Sequence, residues 1–332
     1  MNCDDCVPST TLQQPQLSSA ITTPAVKEQQ PVSIQGIIFD LDGTLLDTET
    51  LSDYAMYAAL NISPCDSELL VQNNDQPNNN NNNNNANDDE DNSNTKNNNK
   101  QYRQRLPWEL KRRILGLRSA EWGPIVLQYA QEVWGLSKDT IPSNSEELAT
   151  VWEGHLNEYC HTVQSCTGAY ELVHQLSTTL SLPMAIATSS RQSAVNIKRQ
   201  NHSDLFHHFP IIVCGDHPNV HHGKPAPDIY IEAARQMNVL PQHCLVFEDA
   251  MNGILSAKAA GCGYVVAIPD TRYYNDTITT TTTTTELEKF HHHADMVLPN
   301  LLHFNGTNMG INIDMSQLSS SPSSVLPNEH TL

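Results

Sequence analysis

Short apolar runs recur along the chain, and segments with helical periodicity separate most of them. The runs lack strict alternation between apolar and polar residues, which is typical of parallel strands that are buried on both faces. The pattern therefore predicts six strands, at 36–39, 183–189, 210–216, 244–249, 263–270 and 294–300.

Helical patterns follow several of the predicted strands. Ile229, Ala233 and Met237 recur at every fourth position after Pro227, a residue type favoured in the first turn of a helix. The stretch "NGILSAKAAG" ends at Gly261, which suits the position just beyond a helix. Strands that alternate with helices predict an α/β fold, with a Rossmann-like parallel sheet and helices on both of its faces.

The segment 49–167 departs from this alternation. Helical patterns such as "PWELKRRILGL" and "AEWGPIVLQYAQEVWGL" occupy it, and it has few strand-like runs. We predict that residues 49–167 form an all-helical cap domain. The cap is inserted into a discontinuous α/β core domain that comprises residues 33–48 and 168–304.

Three polar tracts interrupt or flank these segments. They are rich in Asn, Ser, Thr or Gln and lack the apolar side chains that would offset the entropic cost of ordering them. They are predicted to be a disordered leader at 1–32, a disordered Asn-rich loop at 72–100 within the cap, and a disordered tail at 305–332. A run of Thr at 279–285 predicts a further loop.

The formal net charge of −19 restricts the kinds of partner. Phosphate backbones and anionic membrane surfaces attract clustered Lys and Arg, so we expect neither nucleic acid nor a membrane. No apolar run reaches about 18 residues, and no signal-like segment precedes the first strand. We expect a soluble, cytoplasmic monomer. A small anionic substrate fits only where a metal ion or a local Lys overrides the negative field.

Polar residues follow four of the predicted strands at their carboxyl ends. In an open parallel sheet these ends lie along one edge, where ligands bind. One crevice is therefore expected to gather carboxylates, hydroxyl groups and a lysine: Asp40, Asp42, Thr188, Ser189, Lys224, Glu248 and Asp249.

The four carboxylates predict a metal ion. Without a cation they would raise one another's pKa values severely. An all-oxygen ligand set favours a hard ion, and Mg²⁺ typically takes one or two carboxylates and keeps several waters. Asp40 and Asp249 are the best direct ligands, with Glu248 beside them or acting through water.

A metal ion at this position indicates phosphoryl chemistry. With Mg²⁺ and Lys224 screening the repulsion between two anions, Asp40 can act as a nucleophile toward a phosphorus atom. Asp42 fits as the general acid for the leaving alkoxide and as the general base for the water that follows. The hydroxyl of Thr188 and the neighbouring backbone N–H at Ser189 would hold phosphoryl oxygens.

Four short stretches carry a resemblance to a known family. "FDLDGTLLDTE", "ATSS", "GKPAPDIY" and "VFEDAMNGI" resemble, in order, the four motifs of the haloacid dehalogenase superfamily, in its helical-cap branch. The resemblance implies phosphorylation of Asp40, acid–base catalysis by Asp42, and phosphate contacts from Thr188 and Lys224. It also implies that Asp249 and the main-chain carbonyl of Asp42 bind Mg²⁺.

Longer stretches are similar to one group within that branch. "VCGDHPNVHHGKPAPDIYIEAAR" resembles the pseudouridine 5′-phosphatases and their glycerol-3-phosphatase and flavin-mononucleotide phosphatase relatives. The resemblance implies that the substrate is a small phosphorylated metabolite, either a pseudouridine 5′-phosphate-like nucleotide or a sugar or polyol phosphate. "LGLRSAEW" resembles the cap loop that faces the substrate, which implies substrate contacts from Gly116 and Arg118.

Other functions stay open on the sequence alone. A phosphomutase of the β-phosphoglucomutase type would use the same residues and return the phosphoryl group to a sugar. A dehalogenase is disfavoured, because a leaving halide has no need of an acid at Asp42. A non-catalytic protein would bind partners through the polar tracts, and each motif residue taken singly has an ordinary explanation, such as a turn at Asp42 or a solvated Lys224.

Overall fold

The structure is a computed structural model that describes residues 33–62, 105–272 and 283–315, with the side chains of 283–286 left out. Its centre is a six-stranded parallel sheet in the order β3-β2-β1-β4-β5-β6. The strands are β1 (Gly36–Phe39), β2 (Met184–Ala187), β3 (Ile211–Val213), β4 (Cys244–Glu248), β5 (Tyr264–Ala267) and β6 (Met296–Val297). Each of the six predicted strands is present, and the predicted α/β fold class is confirmed.

Helices occupy most of the segments between the strands. The α-helices are α1 (Glu49–Ala59), α2 (Trp108–Ile114), α3 (Ser119–Glu132), α4 (Ser145–Tyr159), α5 (Ala169–Thr179), α6 (Gln192–Asn201), α7 (Ser203–Phe206), α8 (Asp228–Gln236), α9 (Met251–Ala259) and α10 (Thr283–His293). Short 3₁₀ turns lie at Cys160–Thr162, Pro241–His243, Leu301–His303 and Thr307–Met309. Every helix within the described ranges is too short or too polar to cross a bilayer.

The side chains of the central strand β1 explain why helices cover both faces of the sheet. Successive residues of a strand point to opposite faces. Ile37 and Phe39 pack into one apolar cluster with α5 and α7, whereas Ile38 packs into a second cluster with α8 and α9. All three side chains are fully buried, so the sheet needs an apolar covering on each side.

The helices α1–α4 lie between β1 and β2 in the chain and have an apolar cluster of their own. Within this segment Trp122 of α3 and Trp152 of α4 meet edge to face, with 5.2 Å between their ring centroids. The helices predicted for this segment are confirmed. Their assignment to a separate cap domain at 49–167 stays a prediction.

The last described residues pack against the sheet. Met309, Ile311, Ile313 and Met315 are each no more than 6% exposed and belong to the same cluster as the central strand. The predicted disorder from residue 305 is therefore wrong for 305–315. The apolar residues there recur at every second position, a pattern that extended segments use to bury one face.

The other predicted polar tracts fall largely outside the described residues. The leader at 1–32, the Asn-rich loop at 72–100 and the tail from 316 onward belong to this part of the chain. Thr283–Thr285 form the first residues of α10. The loop predicted at 279–285 is therefore wrong for 283–285, and residues 279–282 lie outside the described part of the chain.

Candidate active site

The carboxyl ends of β1 and β4 bring three acidic side chains together. The two strands are neighbours, with Phe39 opposite Phe247, and the backbone N–H of Asp40 donates to the Phe247 carbonyl at 3.0 Å. Asp40, Glu248 and Asp249 each offer one carboxylate oxygen, and these oxygens lie within 4.8 Å of one another. All three residues are buried.

A buried lysine lies between two of these carboxylates. The Nζ atom of Lys224 is 2.6 Å from Oδ1 of Asp40 and 2.6 Å from Oε1 of Glu248. Burial disfavours the charge on Lys224, but the two carboxylates more than offset this, so the pKa of Lys224 lies above its usual value. Lys224 is therefore held as a cation.

The acidic cluster of Asp40, Glu248 and Asp249 has more negative charge than Lys224 can balance. Burial, together with the carboxylates of Glu248 and Asp42, raises the pKa of Asp40 to about 8 in spite of its ion pair with Lys224. Burial and the charges of Glu248 and Asp40 raise the pKa of Asp249 well above its usual value. Three carboxylates beside one ammonium group leave two negative charges uncompensated, which a divalent cation would balance.

Both carboxylate oxygens of Glu248 have protein partners. Oε1 accepts from Lys224 at 2.6 Å and from the hydroxyl of Tyr230 at 2.9 Å, and Oε2 accepts from the backbone N–H of Ala250 at 2.9 Å. A Cβ atom at Gly253 would lie 1.6 Å from Oε1, so the carboxylate packs directly on that backbone. Glu248 therefore holds Lys224 in place, and neither of its oxygens is left without a protein partner to bind a metal ion.

One oxygen of Asp249 has no hydrogen-bond partner among the described residues. Its Oδ1 accepts from the hydroxyl of Thr44 at 3.2 Å, whereas the buried Oδ2 accepts from none. A Cβ atom at Gly43, where φ is +90°, would lie 2.3 Å from Oδ2, so glycine keeps this space clear. A buried carboxylate oxygen without a partner, beside two further carboxylates, fits a hard divalent cation such as Mg²⁺.

The carboxylate of Asp42 has a different set of partners. Its Oδ1 lies 2.5 Å from Nζ of Lys198 and accepts from the hydroxyl of Thr48 at 2.9 Å, and its Oδ2 accepts from Ser190 at 2.7 Å. Burial opposes the charge, but Lys198 and the hydroxyl groups outweigh it, so the pKa of Asp42 is lowered. These groups engage both oxygens of the carboxylate. Metal binding through the main-chain carbonyl of Asp42 stays a prediction.

The two predicted phosphate-binding residues after β2 have different surroundings. The hydroxyl of Thr188 lies 3.4 Å from Oδ2 of Asp42, so it faces the acidic residues. The hydroxyl of Ser189 donates instead to the carbonyl of Gly116 at 2.7 Å, in the loop between α2 and α3. Ser189 therefore joins this loop to the sheet edge.

The two residues predicted to contact the substrate from the helical segment are also placed differently. Gly116 lines the pocket in front of the acidic cluster, whereas Arg118 is not among the described lining residues. The guanidinium of Arg118 pairs with Glu121 and donates to the carbonyls of Gly215 and Val220, each at 3.3 Å. This geometry does not support a substrate contact from Arg118, and it ties the start of α3 to the loop after β3.

The pocket opens between the acidic cluster and the helices α1–α4. Its lining includes the carboxylates of Asp40 and Asp249 and the hydroxyl of Thr188. The helices contribute both apolar and charged side chains, namely Glu49, Met56, Lys111, Ile114, Trp122 and Trp152.

The sequence patterns did not identify several residues of this site. Lys198 lies on α6 beside the buried residues Ala194 and Val195, so a lysine on the apolar face of a helix was the available signal. No comparable pattern in the sequence marked Thr48 or Tyr230 as a residue of the site. A threonine after a turn and an aromatic residue in a core helix are ordinary features of a fold.

Comparison with known proteins agrees with this geometry. Residues 34–261 match the family model of haloacid dehalogenase-like hydrolases, and the chain belongs to this family. A protein of Drosophila melanogaster named "Probable pseudouridine-5'-phosphatase" is 27% identical over 277 residues, which cover 82% of this chain and 93% of that protein. The (DL)-glycerol-3-phosphatase 2 of Arabidopsis thaliana is 29% identical over 255 residues, which cover 76% of this chain and 86% of that protein.

A solved structure supports the fold. CbbY from Rhodobacter sphaeroides in complex with phosphate matches with a TM-score of 0.53 and 19% identity, and the match covers 81% of this chain and 95% of CbbY. At this identity the likeness shows the fold alone. The family predicted from the four motifs is confirmed, as are the similarity to pseudouridine and glycerol-3-phosphatases and the predicted class of enzyme, a hydrolase whose relatives are named as phosphatases.

Proposed function

We propose that this chain is a Mg²⁺-dependent phosphatase that hydrolyses a small phosphomonoester through an aspartyl-phosphate on Asp40. The observation that carries the proposal is the buried pair of Asp40 and Lys224 beside Asp249, whose Oδ2 atom has no hydrogen-bond partner within the described part of the chain. This arrangement lets a carboxylate approach an anionic phosphorus atom. Relatives named as pseudouridine-5′-phosphatase and glycerol-3-phosphatase support a phosphatase among the hydrolases.

Asp40 is the proposed nucleophile. Lys224 holds its Oδ1 atom at 2.6 Å, which leaves Oδ2 for the attack on phosphorus. As the bond from Oδ2 to phosphorus forms, the bond from phosphorus to the leaving oxygen breaks. Lys224 lowers the repulsion between the attacking carboxylate and the phosphoryl group, and Thr188 donates a hydrogen bond to a phosphoryl oxygen.

Asp42 is the proposed proton carrier. In its protonated form, which Lys198 and the hydroxyl groups make the minor one before substrate is bound, Asp42 gives a proton to the leaving oxygen, so that an alcohol rather than an alkoxide departs. In the second half of the reaction the ionised Asp42 takes a proton from water as that water attacks phosphorus. The bond between Asp40 and phosphorus then breaks, which releases inorganic phosphate and restores both aspartates.

Asp40, Asp249 and the main-chain carbonyl of Asp42 are the proposed ligands of the metal ion. Glu248 acts through water or through Lys224, because both of its oxygens have protein partners. When bound, Mg²⁺ supplies positive charge that polarises the phosphoryl group and balances the acidic cluster.

We further propose that residues 49–167 act as a cap domain over the core. The separate apolar cluster of α1–α4 and the position of the pocket support this assignment. A cap over the pocket would exclude bulk water during the reaction. The pocket lining includes the aromatic residues Trp122 and Trp152 and the charged residues Glu49 and Lys111. This combination suits a leaving group with both a flat apolar face and hydroxyl groups, as in a nucleoside.

The test is release of inorganic phosphate from a panel of phosphorylated metabolites. The panel contains pseudouridine 5′-monophosphate and other 5′-nucleotides, glycerol 3-phosphate and hexose phosphates, each with Mg²⁺ and with EDTA. We expect Mg²⁺-dependent release from at least one of them. Asp40→Asn should lower turnover by more than about 10⁴-fold, because the nucleophile is lost.

A matched control is Asp295→Asn, since Asp295 pairs with Lys258 outside the pocket lining. This variant should turn over normally. Normal phosphate release by Asp40→Asn would contradict the mechanism. An isomerised sugar phosphate without free phosphate would identify a phosphomutase instead.

A further inference from the structure

We propose that Lys198 is a positioning residue for proton transfer: it holds the carboxylate of Asp42, both directly and through Ser190, in the orientation that reaches the leaving oxygen. This inference rests on the proposed function, because it assigns Asp42 the role of proton carrier. Lys198 lies outside the four motifs that identified the family, and it contacts the site from α6.

The contacts around Asp42 form a closed set. Lys198 Nζ lies 2.5 Å from Oδ1 of Asp42 and donates to the hydroxyl of Ser190 at 3.0 Å. That hydroxyl in turn donates to Oδ2 of Asp42 at 2.7 Å. Lys198 therefore acts on both oxygens of one carboxylate, which fixes the rotation of the carboxylate plane as well as its position. The hydroxyl groups of Thr48, 2.9 Å from Oδ1, and of Thr188, 3.4 Å from Oδ2, complete the set.

The surroundings of Lys198 fit a functional ion pair. Its side chain is 7% exposed, that of Asp42 is 24% exposed, and both residues line the pocket. Holding a lysine in such a place is costly unless its charge is matched. The pair Lys258–Asp295 shows the ordinary alternative, since both of its side chains are 33% exposed and neither lines the pocket.

Lys198 also gives the two aspartates of the first motif different cationic partners. Asp40 has Lys224 and the acidic cluster as neighbours, whereas Asp42 has Lys198. Without Lys198, Oδ1 of Asp42 loses the group that lies 2.5 Å from it, and the Ser190 hydroxyl loses the donor that orients it toward Oδ2. We therefore expect the carboxylate to turn away from the leaving oxygen when Lys198 is replaced by an uncharged residue.

The experiment measures how strongly the reaction depends on the leaving group. With enzyme in excess, the single-turnover rate at which the alcohol or phenol is released is recorded for p-nitrophenyl, phenyl and benzyl phosphate. The leaving oxygens of these substrates are increasingly basic. A phenolate as weakly basic as p-nitrophenolate leaves without a proton, whereas a benzyl alkoxide needs one. Lys198→Met should therefore lose less than about 3-fold on p-nitrophenyl phosphate and about 100-fold on benzyl phosphate.

Three further variants make the result specific. Lys198→Arg keeps the cation and should recover most of the loss on benzyl phosphate. Ser190→Ala removes only the bridging hydroxyl, so it should show the same trend with a smaller amplitude, and it serves if Lys198→Met does not fold. Lys258→Met removes a lysine from a partly exposed ion pair and should leave all three rates unchanged.

A loss of equal size on the three substrates, in Lys198→Met and in Ser190→Ala, would overturn the positioning role and leave the proposed function intact. Failure of the unmodified protein to release phosphate from any substrate would overturn both. A loss that grows with the basicity of the leaving oxygen, and that Lys198→Arg reverses, would support the proposal.

Discussion

Two regions of this molecule each bury a lysine between two carboxylates. Over the residues that the structure describes, only one of these two regions has a third carboxylate close enough to share a metal ion with the others. One lysine lies at the carboxyl edge of the sheet, and the other lies among the helices α1 and α2. Both lysines are no more than 2% exposed. We refer to them as the sheet triad, Asp40–Lys224–Glu248, and the helix triad, Glu49–Lys111–Asp53.

In the helix triad both carboxylates pair with Lys111, including Oε2 of Glu49, which has no hydrogen-bond partner among the described residues. Nζ of Lys111 lies 2.6 Å from Oδ1 of Asp53, and the backbone N–H of Leu106 donates to Oδ2 of Asp53 at 3.2 Å. Glu49 also pairs with Lys111. Burial raises the pKa of Glu49, so protonation can relieve the one remaining negative charge.

The sheet triad has a third carboxylate beside it. Asp249 adds a second uncompensated negative charge and an oxygen that accepts no hydrogen bond from any residue the structure describes. A divalent cation matches this charge, whereas a single proton does not. The comparison teaches that a lysine with two carboxylates does not by itself define a metal site. The proposed metal site rests on the third carboxylate, which adds a negative charge and an oxygen that, unlike Oε2 of Glu49, has no lysine beside it in the described structure.

The largest effect should come from Lys224→Met. This change leaves Asp40 and Glu248 buried without their cation, and removing one partner of a buried pair typically costs about 3–5 kcal/mol of stability. Turnover should fall by at least about 10²-fold, because the nucleophile then repels the phosphoryl group more strongly. Urea unfolding and phosphate release measure the two effects. If Lys224→Met were active and of normal stability, Lys224 would have neither of these roles and the prediction would be wrong.

Lys111→Met should separate stability from chemistry. It breaks the helix triad, so the free energy of unfolding should also fall by about 3 kcal/mol or more. The single-turnover rate at saturating substrate should change by less than about tenfold, because Lys111 pairs with Glu49 and Asp53, which have no proposed role in the reaction. Since Lys111 lines the pocket, KM is the parameter expected to change. A loss of rate as large as in Lys224→Met would show that the two triads act alike.

Magnesium binding should distinguish the triads without any turnover. A ligand at one hundred times its Kd stabilises a protein by about 2.7 kcal/mol, so Mg²⁺ should raise the melting temperature by several degrees. Asp249→Asn should abolish this rise, whereas Asp53→Asn, in the helix triad, should keep it. Differential scanning calorimetry with Mg²⁺ and with EDTA measures both. If Asp53→Asn abolished the rise in melting temperature, the ion would bind at the helix triad and the prediction would be wrong.

The magnesium effect should also depend on pH. Burial raises the pKa of Asp40 to about 8 and raises that of Asp249 as well, so protons compete with the metal for these oxygens. The rise in melting temperature should therefore be larger at about pH 8 than at about pH 6. The opposite trend would mean that these carboxylates do not hold the ion.

The smallest effect should come from Arg118→Ala. Arg118 binds Glu121 and the carbonyls after β3, and such partly exposed contacts are worth about 1 kcal/mol. KM should rise by less than about tenfold and by the same factor for every substrate, since α3 then docks less firmly. Arg112→Ala, at an exposed pair with Glu109, is the control and should change nothing. A loss confined to some substrates would restore the predicted substrate contact.

Most of the sheet could be predicted because its strands are buried on both faces. The strand β4 is apolar from Cys244 to Phe247 and ends at Glu248, which Asp249 follows. The polar residues at strand ends were therefore visible in the sequence as sharp changes of pattern. The segment 305–315 was less visible, because its four alternating apolar residues lie within a stretch rich in Asn, Gly and Ser.

The partners of the site residues could be predicted only in part. Lys224 follows a glycine in a motif and was expected at the site. Lys198 and Tyr230 lie within helices, where a lysine is usually solvated and a tyrosine usually packs in the core. Which helix face meets the sheet edge depends on packing across the whole domain, and the local pattern does not contain that information.

Asp40 and Asp42 show where this division falls. The sequence alone determined that two carboxylates follow the central strand and that both belong to a site at the carboxyl edge of the sheet. Only the tertiary structure decided that Asp40 pairs with Lys224, 184 positions away, and that Asp42 pairs with Lys198, 156 positions away. Two identical side chains one residue apart receive different environments because burial and charge act through space, and the chain brings those partners together only when it folds.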